Sequence, residues 1–417
     1  MHVLYFHQYF YTPRGAGGIR SYEFARQLIA HGHQVTMVCV RDARDPLDLP
    51  GPANAPVRRG VVDGINIIQI NLAYSNHQSL PQRAVVFLRY AIRGIGLALS
   101  LDYDLLFATS TPLTAGIPGI FAHYFRRKPF VFEVRDLWPE LPKAMGVVTN
   151  PVILGVMSLL EWLSYRAATA CVGLSPGIGE GIARRSRPGQ PIAVIPNAAD
   201  LEIFLPGRRE DLQLQGVGPK DFVAVFTGAH GMANGLDAVL DAAAELKRRG
   251  RKDIVLAFIG DGKLKPGLVE RAKREGLDNC RFYDPMPKKK LNQIIGCVDA
   301  GLMILADVPA FYYGTSPNKF FDYLAAGLPV LNNYPGWLAD LIQENQCGVV
   351  VPPRNPAAFA DGLCRLADNP AERSEMGRHA RRLAETKFAR ERLASRFVDW
   401  LEAVQKRQLP SGLQKFA

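Results

Sequence analysis

No stretch of this 417-residue chain is apolar for long enough to span a membrane. The N-terminus, Met1-His-Val-Leu-Tyr-Phe, has no basic leader and no small-residue cleavage site, so it reads as a strand and not as a secretory signal. Cysteine is scarce. Cys39, Cys171, Cys280, Cys297, Cys347 and Cys364 lie scattered, with no CxxC pair and no histidine at metal-ligand spacing. That excludes a disulfide scaffold or a zinc module, and core thiols in a reducing, cytoplasmic compartment are expected. Charge is not segregated either. Of a formal net charge of +11, residues 1–200 carry 19 basic against 13 acidic side chains and the remainder 31 against 26. With no basic tail, the spread positive charge suits anionic ligands or a membrane surface. At 48% apolar and 21% charged residues, wholesale disorder is excluded, and the length predicts two or three domains with ample cores.

What the chain does have is a repeated strand–helix pattern. Val3–Phe6 leads to a glycine-rich loop and a helix from about Ser21 to His31. Short apolar strands follow at Val35–Val40, Ile65–Ile70, Leu105–Ala108, Phe130–Val134, Ala170–Leu174 and Ala193–Ile195. The chain then turns polar and irregular over Pro196–Pro219, which reads as a linker. A second series opens with Phe222–Thr227 and continues through Val255–Ile259, Arg281–Tyr283, Ala300–Ile304 and Val330–Asn332. Short apolar strands alternating with helices indicate parallel α/β sheets. Two such domains are expected, 1–198 and 199–388, followed by an amphipathic helix and tail over 389–417. In sheets of this kind ligands bind beyond the carboxyl ends of the strands.

The richest segment is Gly314-Thr-Ser-Pro-Asn-Lys-Phe-Phe-Asp-Tyr-Leu-Ala-Ala-Gly-Leu-Pro-Val-Leu. Thr315 or Ser316 is expected to cap a helix, with Pro317 at its first position and Gly327-Leu-Pro329 as its stop. Free amides around Thr315–Asn318 would meet an anion, with Lys319 in the first turn. Asp322, three residues on, lies on the same face, where its carboxylate accepts from hydroxyls. Amides and an ammonium for a diphosphate, and a carboxylate for a ribose, describe a nucleotide-sugar site.

Six landmarks occur in order: Tyr11-Thr-Pro-Arg-Gly-Ala-Gly17-Gly18, Glu133-Val-Arg-Asp136-Leu-Trp-Pro-Glu140, Val194-Ile-Pro-Asn197-Ala-Ala-Asp200, Phe226-Thr-Gly228, Phe258-Ile-Gly-Asp261-Gly, and the 314–331 segment. On these, the chain resembles the retaining GT-B glycosyltransferases of family 4 over essentially its full length. The resemblance implies two Rossmann-like domains facing across a cleft. It also implies metal-independent transfer of a sugar from a nucleotide diphosphate donor, with basic groups and amides neutralising the leaving diphosphate. The donor would be held by the C-terminal domain through Gly228, His230, Asn234, Thr315, Ser316, Asn318, Lys319 and Asp322, with Gly17 and Gly18 approaching from the N-terminal one. Asp136 or Glu140 would take the acceptor proton, and Arg14, Arg20 and Arg135 would meet acceptor phosphate.

The sequence departs from the family pattern in three places. Gly314 stands where the family has the first of two glutamates, His230 and Asn234 stand where its diphosphate cations are expected, and Arg135 replaces the usual histidine before Asp136. Such changes resemble the branch that builds bacterial O-antigen and capsule repeats, where UDP-linked and N-acetylated amino sugars are common donors and lipid-linked saccharides the acceptors. A nucleotide-sugar 2-epimerase of the same architecture and a non-catalytic donor-binding subunit remain open alternatives.

Four further features are read more plainly. Asp102-Tyr-Asp104 precedes a strand and is turn chemistry, Gly177-Ile-Gly-Glu-Gly181 reads as a loop, and Glu133 is expected to be buried against Arg135. Over Gln82–Leu101 the only charges are Arg83, Arg89 and Arg93, on one helical arc beside apolar residues, a pattern that fits peripheral membrane contact or packing on a sheet.

Overall fold

The computed structural model describes residues 1–15, 17–42, 45–72, 78–110 and 112–414. It divides into two compact units, Met1–Pro196 with Gly314–Ser316 and Glu391–Ala417, and Asn197–Tyr313 with Pro317–Arg390.

The first unit begins β1 (His2–Phe6), α1 (Arg20–Ala30), β2 (Gln34–Val40), β3 (Val57–Val62), β4 (Ile65–Ile70), α2 (Leu80–Ser100), β5 (Leu105–Thr109) and α3 (Ile117–Arg126). It continues β6 (Phe130–Val134), α4 (Glu140–Ala144), α5 (Pro151–Ala167), β7 (Ala170–Gly173), α6 (Pro176–Arg185) and β8 (Ile192–Val194). Strands β1 and β5 are nearly continuous apolar runs, and β6 is one broken only by Glu133, because the parallel sheet is covered on both faces. Strand β1 pairs in parallel with β2 (Val3 opposite Val35) and with β5 (Val3 opposite Leu105), which brings the carboxyl ends of β1, β5 and β6 side by side. Strand β3 was not expected. Its sequence, Val-Arg-Arg-Gly-Val-Val, lacks the apolar run of a buried strand because it is an antiparallel edge, paired only with β4.

The second unit holds β9 (Phe222–Thr227), α7 (Asp237–Arg248), β10 (Ile254–Ile259), α8 (Lys265–Glu275), β11 (Cys280–Tyr283), α9 (Lys288–Ile295) and β12 (Ala300–Met303). After these come α10 (Pro309–Gly314), α11 (Asn318–Ala325), β13 (Val330–Asn332), α12 (Trp337–Glu344), β14 (Gly348–Val350), α13 (Pro356–Asp368) and α14 (Pro370–Leu383). Its six-stranded sheet is parallel in the order β11-β10-β9-β12-β13-β14. The chain closes with α15 (Arg390–Lys406) and β15 (Leu413–Gln414). Phe397 of α15 stacks on Phe24 (4.1 Å between centroids) and meets Phe107 edge-on (5.0 Å), while β15 adds a ninth strand beside β8.

Gly177–Gly181, expected as a loop, is the first half of α6, and Ser175 caps it by accepting from the amide of Ile178 at 3.2 Å. The glycines serve packing. A Cβ on Gly181 would lie 2.7 Å from Leu137, and one on Gly179 would lie 2.7 Å from Leu413. Helix propensity lost to glycine is offset by close approach of neighbouring segments.

Candidate functional site

In the second unit the loops after β9 and β10 press backbone against backbone. Gly228 has φ +134° and Gly260 φ +151°, and a Cβ on Gly260 would sit 1.9 Å from the Gly228 carbonyl oxygen. No other residue fits there. The loops are tied by the Gly228 amide donating to Ile259 (3.0 Å) and the His230 amide donating to Asp261 (2.9 Å). Lys265 Nζ locks the same corner, donating to the carbonyls of Gly260 and Tyr283 at 3.0 Å each and to Asp284 at 2.8 Å.

Lys319, on α11, reaches this corner. Its Nζ donates to Asn234 Oδ1 at 2.9 Å and lies 4.0 Å over the Phe226 ring, while Asn234 Nδ2 donates to the Ala229 carbonyl at 2.7 Å. A Cβ on Gly228 would come within 3.3 Å of the Lys319 side chain, so the glycine also leaves room for the lysine. Burial pulls Lys319 down to about 7 from the usual 10.5, and no carboxylate among the described residues offsets that pull. Tyr323 fixes the helix from below: its hydroxyl accepts from the Thr227 amide at 3.0 Å and donates to the Val225 carbonyl at 3.2 Å. Sequence reasoning missed Tyr323, although an aromatic hydroxyl one turn beyond Lys319 on an otherwise apolar helix face was a signal.

The helix starts one residue later than expected. Pro317 is its N-cap, with no side-chain cap hydrogen bond, and Asn318 is its first residue. Gly314–Ser316, from the end of α10 to the residue before Pro317, group with the first unit. Asn318 is exposed and Asp322 half-buried. His230 also corrects an expectation. Its ring is fully buried among Phe226, Phe258 and Phe282, with centroids 6.0 to 6.4 Å away, so it presents no donor to a ligand. Neither ring nitrogen has a hydrogen-bond partner among the described residues, and burial followed by the nearby Lys265 lowers the imidazole to about 4.

In the first unit the carboxyl ends of β1, β5 and β6 gather His7, Ser110, Arg135 and Asp136. The Arg135 amide donates to Ser110 Oγ at 2.9 Å. Asp136 is half-buried, and burial raises its carboxyl above the usual range while Arg135 partly holds it down. His7 is pushed well below the ordinary imidazole range by burial and by Arg135, and its Nδ1 has no partner. Gln8, beside it, is fully buried, and neither side-chain amide atom has a hydrogen-bond partner among the described residues. Orphaned buried polar atoms at strand ends mark a place built for something other than stability. Gln8 carried no sequence signal. Glu140 lies exposed at the first position of α4.

Arg20 does not serve an acceptor. It is 4% exposed, and its guanidinium donates to Glu133 Oε1 (3.0 and 2.9 Å) and to the carbonyls of Ile195 (2.7 Å) and Pro196. Glu133, fully buried, also accepts from Thr109 at 2.8 Å, so its partner is Arg20 and not Arg135. Arg14 is exposed and lines a shallow cavity of about 190 Å³ whose other polar walls include Asp45, Asp48 and Asp63. The loop carrying it is tied to Asp45, which accepts from Thr12 Oγ1 at 3.1 Å and from the Thr12 amide. Gly17 is required by contact, since a Cβ there would lie 2.2 Å from the Tyr11 ring; Gly18 is exposed, and Ala16, just before them, lies outside the described residues. Among the described residues no group of three or more His, Cys, Asp or Glu is placed to hold a metal ion, and Asp104 accepts from the His2 amide at 2.7 Å.

Known proteins match both halves. The family described as "Glycosyl transferase 4-like domain" matches residues 15–198, and "Glycosyl transferases group 1" matches residues 221–369. The chain belongs to the GT-B glycosyltransferases of family 4. The solved sucrose-phosphate synthase of Thermosynechococcus elongatus is similar at a TM-score of 0.75 and 16% identity, covering 97% of this chain and 99% of that one. HepE of Anabaena, in complex with UDP and glucose, is similar at a TM-score of 0.70 and 15% identity over 96% and 99%. These similarities establish the fold, two Rossmann-like α/β domains. A D-inositol 3-phosphate glycosyltransferase of Catenulispora acidiphila is 29% identical over 241 residues, 54% of this chain and 55% of that protein. The chain spans about half the length of the curated relatives it matches.

Proposed function

We propose that this protein transfers a sugar, with retention, from a UDP-linked donor to a lipid-linked saccharide in cell-envelope polysaccharide synthesis. N-acetylated amino sugars belong to the donor class. The observation that carries the donor side is Lys319: a half-buried ammonium with no compensating carboxylate among the described residues, oriented by Asn234 and set beside the bare backbone of Gly228. Such a cation is unstable alone and is stabilised by a diphosphate. The similarity to a structure holding UDP supports that nucleotide.

In the reaction the C1–O bond to the diphosphate breaks and its electrons pass to the phosphate oxygen, whose growing charge Lys319 and the amides of Asn318 and Lys319 neutralise. The acceptor oxygen bonds to C1 from the same face, and its proton leaves to Asp136 or to the departing diphosphate. Asp136 suits the role better than Glu140, because burial has raised its basicity. Asp322 would hold the ribose hydroxyls.

A thermal-shift screen with UDP, GDP, ADP, dTDP and their sugars tests the donor side. A UDP-specific shift that Lys319→Ala abolishes is expected, followed by transfer from the bound UDP-sugar. A shift confined to another nucleotide overturns the UDP assignment, and wild-type binding in Lys319→Ala overturns the site.

A further inference from the structure

The first unit carries its large apolar side chains where solvent meets them. Of the sixteen exposed large hydrophobic residues among the described residues, twelve lie on α2, α3 and α5 or in the turn before α5. The three helices lie side by side, α3 touching both α2 and α5. Their inner faces bury Tyr90, Ala122 and Tyr165, as any helix on a sheet would. Their outer faces differ. On α5, Val152, Val156 and Leu159 follow one another at helical spacing and are each more than half exposed; on α2, Leu88 and Ile92 are likewise, and Phe125 of α3 is 72% exposed. An outward helix face is ordinarily polar, and a contiguous apolar one marks an interaction surface.

Charge identifies what covers it. Helices α2 and α3 contain no acidic residue, and the one acid of α5, Glu161, is buried and paired with Arg185 at 2.6 Å. Arg89 and Arg93 stand exposed beside the α2 stripe, Arg127 is exposed just past α3, and Arg166 lies 5.0 Å over the Trp162 ring at the end of the α5 stripe. A second copy docked by two-fold symmetry would set these cations against each other with no exposed carboxylate on any of the three helices to pair them. An anionic bilayer meets both demands, taking the apolar side chains into its interface and pairing headgroups with the guanidinium groups.

We infer that the outer face of α2, α3 and α5 docks on a membrane surface bearing anionic lipid. This deepens the lipid-linked acceptor reading above, because it would hold the protein where such an acceptor lies. The packing reading of Gln82–Leu101 holds for its inner face, and α5, which carried no membrane expectation, supplies the longer uncharged stripe.

The test is flotation of the full chain with phosphatidylcholine vesicles, with and without 30 mol % phosphatidylglycerol (roughly the anionic fraction at which surface potential matters). The wild type should float with the anionic vesicles and severalfold less in high salt or without phosphatidylglycerol. The pair Val156→Asp with Leu159→Asp should cut binding roughly tenfold or more, with an unchanged melting temperature and unchanged UDP binding. Arg89→Ala with Arg93→Ala should remove the preference for anionic vesicles. If the α5 pair does not fold, Leu88→Asp with Ile92→Asp tests the same face. Wild-type protein left in the dense fraction overturns the inference, as does equal flotation of a folded variant. A dimer broken by these substitutions, with no vesicle binding, gives the face to a second copy instead. Because no nucleotide is needed, flotation with no UDP binding would sink the donor reading and leave the docking surface standing.

Discussion

The charge state of Lys319 links donor binding to pH. Burial lowers its ammonium from 10.5 to about 7, a displacement equivalent to at most about 5 kcal/mol against the charged form, since part of the side chain still touches water. In the unfolded chain the lysine stays protonated up to its usual value. The penalty on the folded, unliganded protein is therefore full below pH 7 and fades as pH rises from 7 toward 10.5. A bound diphosphate restores the charged form. At pH 7 about half of the molecules must then take up a proton on binding, and affinity should fall roughly tenfold between pH 6 and pH 8. A UDP-sugar is the correct probe, because its diphosphate has no group titrating in that window. Calorimetry in two buffers of different ionisation enthalpy reads the proton directly. His230 does not confuse the result, since it is neutral above about 4. Lys319→Met should bind weakly and without pH dependence across this range. A wild-type affinity flat from pH 6 to 8, or a slope that survives in Lys319→Met, would refute the assignment of the diphosphate to this lysine.

Asp136→Asn should lower kcat by roughly 10²- to 10⁴-fold with UDP affinity intact, whereas Glu140→Gln should change kcat only a few-fold; equal effects would remove Asp136 from proton transfer. Glu133→Gln leaves the buried Arg20 guanidinium without its counter-charge and should cost about 3–5 kcal/mol, read as the shift of the denaturation midpoint. His230, neutral when folded down to about pH 4, binds a proton more readily when unfolded, so stability should be lost as pH falls from 6.5 toward 4, by up to about 3 kcal/mol. His230→Phe should flatten that slope in acid unfolding curves, and a slope unchanged by the substitution would show that other groups carry it.

The interior strands were legible because each is a short apolar run ended by turn residues, as at Val3–Phe6 and Phe222–Thr227. Edge strand β3 was not, since Arg58, Arg59 and Gly60 obey the looser demands of a strand paired on one side. The corner that joins Gly228 and Lys319 was legible, because local sequence supplies both the turn and the helix. Arg20 was misread for the opposite reason: its partner Glu133 lies 113 residues away, and nothing local reveals that both groups are buried. Gly177–Gly181 misled because its glycines answer to Leu137 and Leu413, contacts made only in the folded sheet.

The return of the chain's end to its beginning has a consequence for synthesis. Phe397 fills the space between Phe24 and Phe107, and β15 completes the sheet that β1 starts. On a ribosome, where domains ordinarily fold in order of emergence, the first unit must wait, incomplete, while the second unit emerges and folds as an insertion within its sequence. Release from truncated messages ending just after residue 390 would leave Phe24 and Phe107 uncovered, and such fragments should be captured by chaperones or degraded even though their second unit is whole.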